Sequence, residues 1–130
     1  MDALRVVRRE ELRPDPGQTP GMERYTGVAA ATVGARGLWV GYVTMAPGSR
    51  SGPHHHGDCE SAIYIVRGRA RFRFGPRLEE AVEAGPGDFV YVPPRLVHQE
   101  INLSQDEAIE MVVVRDSQEN VVVNVELPEA

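Results

Sequence analysis

The sequence predicts an all-β fold, an antiparallel sandwich or barrel. Three observations carry this. Roughly eight to ten short apolar or alternating runs can be drawn along the 130 residues. Turn signals rich in Gly, Pro, Asn and Asp separate them at close spacing, and no stretch makes a convincing helix.

In chain order, residues 4 to 8 (Leu-Arg-Val-Val-Arg) read as a short edge strand. Residues 13 to 21 hold Pro14, Pro16, Gly17, Pro20 and Gly21, too many breakers for regular structure, so they read as an irregular connector. Residues 1 to about 22 form an N-terminal arm, and part of Met22 to Val33 is read as strand. Leu38 to Met45 alternates, but both faces are mostly apolar, which predicts a strand covered on both sides. Ala46-Pro-Gly-Ser49 is a turn. Ala62 to Val66, the Arg67-Gly68 turn and Arg69 to Phe74 make a hairpin, with Ala70, Phe72 and Phe74 inward and the arginines outward. Leu78 to Val82, Phe89 to Val92, Val97 to Leu103, Ile109 to Val114 and Val121 to Val125 complete the strands.

Composition bounds the function. The chain is long enough for one domain with a real core, and 42% of it is hydrophobic. A net charge of −5 and the absence of a dense Lys/Arg cluster argue against nucleic acid as a partner. Arg67, Arg69, Arg71 and Arg73 alternate as the wet face of a strand would. No apolar run is long enough to span a membrane, the N-terminus lacks a signal-peptide core, and one cysteine forms no internal disulfide. A cytoplasmic location is expected. Asn102-Leu-Ser104 matches a glycosylation sequon, read as coincidence. Cys59 lies between Asp58 and Glu60, which would raise its pKa; it reads as a packing residue.

The chemistry concentrates in Gly48 to Gly68. Three of the four histidines, the cysteine and a glutamate lie between His54 and Glu60. In an extended segment residues two apart share a face, so His54 and His56 converge while His55 points away. Glu60 can add an oxygen to the same point. The fourth histidine, His98, follows a Gly-Asp turn, the apolar run Phe89 to Val92 and a Pro-Pro break. Two imidazoles and a carboxylate suit a borderline divalent ion such as zinc, iron, manganese, nickel or cobalt.

These stretches resemble the two motifs of the cupins. The first is Gly, five residues, His-x-His, three or four residues, Glu, six residues, Gly. Here it reads Gly48, His54-x-His56, Glu60 and Gly68, with one residue more than the pattern before the last glycine. Counting back from Gly68 would place Ser61 at the carboxylate position; Glu60 is preferred because serine is a poor ligand, with a one-residue bulge absorbing the difference. The second motif is Gly, five residues, Pro-x-Gly, two residues, His, three residues, Asn. It reads Gly87, Pro93, Arg95 in place of the glycine, His98 and Asn102.

The resemblance implies a double-stranded β-helix, a jelly-roll barrel, with one divalent ion inside held by His54, His56, His98 and Glu60. Glu100 shares the face of His98 and reads as a partner of the ligands, a general base or an alternative ligand, or else as a carboxylate facing outward beyond the barrel mouth; with Tyr64 it is the candidate for proton transfer. The expected function is metal-dependent enzymology on a small organic molecule: isomerisation, cyclisation, rearrangement or dioxygenation. A non-catalytic small-molecule or metal-binding module, or a structural barrel binding metal adventitiously, competes with it. No cluster of inward arginines is evident, which argues mildly against a sugar phosphate. The apolar outer faces of Leu38 to Met45 and the final strand predict a homodimer.

Overall fold

The computed structural model of the chain describes residues 3–15, 19–119 and 122–128. Two antiparallel sheets face each other as in a jelly roll, and among the described residues regular helix is confined to one turn at Ala30–Val33 and a 3-10 turn at Arg9–Glu11. The described residues form eleven strands: β1 (Arg13–Asp15), β2 (Met22–Val28), β3 (Trp39–Met45), β4 (His54–His55), β5 (Ser61–Arg67), β6 (Ala70–Phe74), β7 (Glu80–Ala84), β8 (Phe89–Val92), β9 (His98–Asn102), β10 (Ile109–Arg115) and β11 (Val123–Asn124). One sheet runs β1-β2-β3-β10-β5-β8 and the other β11-β4-β9-β6-β7.

The core lies between the sheets. Met45, Ile65, Ile109 and Met111 are its most enclosed apolar side chains. Each contributes roughly 1.5–3 kcal/mol by leaving water. Strict alternation builds this layer: in both β3 and β10 every second residue is buried. The outward residues of β3, Val40, Tyr42 and Thr44, are half-buried, so its outer face is only partly covered.

Three expectations are corrected at the ends of elements. Residues 4 to 8 form no strand; edge pairing begins instead at β1, inside the proline-rich connector. Pro14 is tolerated there because β1 is the sheet edge and no neighbour needs its missing N–H. The run expected from Leu78 begins at Glu80, because Leu78 takes a left-handed φ of 54° in the preceding turn and buries its side chain. Of the final run, Val123 and Asn124 are strand, and Val121 lies outside the described residues.

Gly68 (φ 85°) closes the β5–β6 hairpin where a Cβ would sit 2.7 Å from the Ala108 carbonyl oxygen. Gly41, in the middle of β3, leaves room for the Trp39 ring, which folds over it; a Cβ there would collide with the indole. Arg95, standing at the glycine of the second motif, has a left-handed φ of 63°. Its N–H donates to the Gly57 carbonyl at 2.7 Å and its guanidinium pairs with Asp58 at 2.8 Å. The backbone conformation of the motif is thus kept at the cost of a side chain there. Asn102 is also structural. Its amide donates to the carbonyls of Met45, Ala46 and Glu107 and accepts from the Ser104 N–H, tying β9 to two turns. It is 2% exposed, which closes the sequon to modification.

Candidate metal centre

The imidazoles converge because of strand register. β4 pairs with β9 so that His54 lies opposite His98. His56, two residues on, comes to the same side. Ring centroids are 4.4 Å apart for His54 and His98, 4.9 Å for His54 and His56, and 5.2 Å for His56 and His98. One ring nitrogen from each lies within 4.8 Å of the others, and all three residues are buried. His55 points away, as expected, and its Nδ1 accepts the Gly57 N–H at 3.0 Å.

Hydrogen bonds fix which nitrogen faces the centre. His54 Nδ1 lies 2.8 Å from the Gly52 carbonyl oxygen and His98 Nδ1 2.9 Å from that of Leu96. A carbonyl only accepts, so each Nδ1 carries the proton and each Nε2 presents a lone pair, the arrangement of metal-bound histidines. His98 Nε2 is buried without a hydrogen-bond partner among the described residues, and so is the Ser61 hydroxyl. Both border a small inner cavity shared with His56 and Glu100. Three convergent imidazoles and two orphaned polar atoms fit a borderline divalent ion.

Glu100 is the carboxylate that the fold brings to this point. It is 9% exposed, with Oε1 3.7 Å from His98 Nε2, too long for a hydrogen bond. Its backbone N–H donates to Ser51 Oγ at 3.0 Å, which pins this stretch of β9. Burial alone would raise its pKa, but His98, then His54 and His56, outweigh burial and hold it well below the usual carboxylate range. Burial pushes His54 down, favouring the neutral form a metal needs. Burial acts the same way on His98, yet the adjacent carboxylate carries it above its ordinary value.

Two expected site residues are placed elsewhere. Glu60 is exposed; it accepts a hydrogen bond from the Tyr91 hydroxyl at 2.6 Å and lies outside the imidazole cluster. The expected bulge exists, between Ile65 and Arg67 opposite Glu110 and Met111, but it sits at the far end of β5. It therefore leaves Ser61 facing inward. Tyr64 lies on the outer face of β5, stacked on Phe89 with centroids 4.8 Å apart, and is not a proton donor at this centre. Tyr42 likewise faces out and donates to Glu110 at 2.6 Å. The Cys59 thiol is raised, but by burial first and then by Asp116 rather than by its sequence neighbours Asp58 and Glu60.

The residues that the sequence did not reveal are arginines. A cavity of about 170 Å³ opens from the centre and is lined by His54, His56, Glu100, Arg24, Arg50 and Arg115. Arg115 had a signal: it shares the parity of Ile109, Met111 and Val113 in β10 and so faces inward.

Glu60→Gln is expected to leave metal content unchanged. Ser61→Ala, at the inward position, is expected to weaken metal binding more than Glu60→Gln does. Equilibrium competition with a chelating dye measures both; a larger loss for Glu60→Gln would return that carboxylate to the centre.

Comparison with known proteins agrees with this architecture. The Cupin domain family profile matches residues 41–115, more than half of the chain and all of the two motifs. The polyketide synthase CurC of Streptomyces cyaneus is 35% identical over 71 residues, 53% of this chain and 45% of that protein. The auxin-binding protein T85 of Nicotiana tabacum is 25% identical over 122 residues, 88% of this chain and 65% of that protein. The chain thus spans between about half and two thirds of the length of these relatives. Among solved structures, the polyketide cyclase RemF from Streptomyces resistomycificus superposes with a TM-score of 0.81 at 20% identity, over 98% of this chain and 89% of that one. With the two motifs on β4, β5 and β9 and the imidazoles gathered between the sheets, the chain belongs to the cupin family.

Proposed function

We propose that this cupin is a metal-dependent enzyme acting on a small organic molecule, with isomerisation or cyclisation at a carbonyl-bearing substrate as its chemistry. The observation that carries the reading is Glu100: a buried carboxylate 3.7 Å from His98 Nε2, in the cavity that His54 and His56 line. Structure without function rarely retains a charge in such a place. The likeness to a polyketide cyclase over nearly the whole chain supports the reading.

His54, His56 and His98 would hold the ion, which when bound supplies Lewis-acid polarisation of a substrate oxygen. Glu100 accepts a proton from a carbon or hydroxyl of the substrate and returns it to another atom of the same molecule, so the step is redox-neutral. The Ser61 hydroxyl orients a substrate oxygen at the inner end. Burial of His54, His56, His98 and Glu100 limits the access of bulk water to the reacting atoms. The test is conversion of small β-dicarbonyl and polyketide-type compounds by protein with and without metal. Conversion that disappears on chelation and returns with zinc, iron, manganese, nickel or cobalt supports the enzyme. Tight binding of a compound without conversion, with every metal, replaces it with a binding module.

We also propose that the chain forms a homodimer. β8 is a sheet edge carrying Phe89 and Tyr91, 78% and 60% exposed, beside the half-covered outer face of the same sheet. Such an edge is normally paired or covered. Light scattering at micromolar concentration is expected to give twice 14.3 kDa; the monomer mass would refute the dimer. No helix among the described residues is long and apolar enough to cross a membrane.

A further inference from the structure

The cavity in front of the imidazoles is electropositive in a chain that is otherwise acidic. Among the described residues its charged lining is Arg24, Arg50 and Arg115 against Glu100, three formal positive charges to one negative. The whole chain carries −5. Positive charge concentrated in a concave site with low-dielectric walls attracts and holds anions.

Two of these arginines are built into the fold. Arg115 is only 6% exposed and ends β10 opposite Ser61, the inward residue beside the imidazoles. Arg24 comes from β2 and is half-buried. Both guanidiniums lie over the same Trp39 ring, at 5.1 Å for Arg115 and 5.9 Å for Arg24. That ring is held in place by folding over Gly41. Both cations thus pack on one indole. Their proximity is also visible electrostatically: burial first, then the Arg24 charge, push the Arg115 guanidinium below its ordinary value. Arg50, exposed, stands at the mouth. Planar guanidiniums recognise carboxylate and phosphate oxygens in bidentate fashion.

We propose that the substrate is a small organic anion, a carboxylate or a phosphate ester, whose charged group is received by Arg24 and Arg115 while its reactive carbons face the imidazoles and Glu100. This deepens the reading above and rests on it for the identity of the cavity as the substrate site. It also reverses the expectation, from the absence of evident inward arginines, that a phosphate is disfavoured. Trp39 is a positioning residue, acting through the two arginines.

The test is binding, not turnover. Benzoate, phenyl phosphate and the neutral benzamide are titrated into metal-loaded protein and into chelator-treated protein, with thermal stabilisation and calorimetry as readouts. At least one anion is expected to bind about tenfold or more tightly than benzamide, the scale of a lost charge-assisted hydrogen bond. Benzoate and phenyl phosphate tell carboxylate from phosphate. The preference should survive chelation, and Arg24→Gln should remove most of it while metal content stays at the parent level. Arg115→Lys, which keeps the charge but not the fork, should reduce it in protein that still unfolds cooperatively. Equal binding of benzamide and both anions overturns the proposal, as does an anion preference unchanged in both variants. A preference lost on chelation and untouched by Arg24→Gln means that a bound ion alone holds the anion; the arginine site is then wrong and the metal centre stands. A preference that survives in protein unable to bind metal upholds the arginine site and removes the metal reading.

Discussion

His98→Ala is expected to abolish stoichiometric metal binding. His98 is 2% exposed, lies on the central strand of its sheet and faces His54 across the β4–β9 pair. Its Nδ1 is committed to the Leu96 carbonyl, so only Nε2 is available to the centre. Loss of a group that merely supports a ligand costs about 10- to 100-fold in metal affinity. Loss of one ligand of three should cost at least the upper figure, enough to empty the site on dialysis. His54→Ala and His56→Ala should behave alike, since the three nitrogens form one cluster. His55→Ala is the control: its ring serves the Gly57 N–H and should leave metal content unchanged. Metal content by mass spectrometry, with circular dichroism to confirm folding, reads the series. Full occupancy in all three cluster variants would show that the ion, if any, lies elsewhere.

The second large effect is expected at Glu100. Glu100→Gln keeps the shape, and the Ser51 hydroxyl still receives the residue's backbone N–H. Folding and metal content should therefore hold, while the proton acceptor is gone. General acid–base help of this kind is typically worth about 10²- to 10⁴-fold, so turnover of an identified substrate should fall by at least about 100-fold. The loss should appear in kcat more than in KM, because the carboxylate acts on the transition state. Parent-rate turnover by Glu100→Gln would assign proton transfer to another group lining the cavity; Tyr64, on the outer face, is not that group.

Much of this centre was legible in the sequence because it obeys local rules. Alternation alone put His54 and His56 on one side and His55 on the other, and spacing put Glu100 beside His98. The errors have equally local causes. Glu60 and Ser61 differ by one position, and in a strand one position reverses the face. The bulge lies at the far end of β5, opposite Glu110 and Met111, and not beside Glu60, so the strand begins with Ser61 inward. Tyr64 shares the parity of the exposed Ala62, against the buried Ile63 and Ile65. Arg24 and Arg115 lie far apart in sequence and meet only because β3 separates β2 from β10 in the sheet and Trp39 lies between them. No local pattern announces such a pair. Residues 4 to 8 have the composition of a strand but gain no partner, and composition cannot supply one.

The proposed chemistry depends on a metal ion among the three imidazoles. Anomalous diffraction from crystals of untagged protein, at the absorption edge of the metal found by elemental analysis, tests this most directly. The predicted result is one strong peak per chain within bonding reach of a ring nitrogen of His54, of His56 and of His98, about 2.0–2.1 Å for zinc, with Glu60 remote from it. No peak there in crystals grown with saturating divalent metal, or a peak on Glu60 away from the imidazoles, would contradict it.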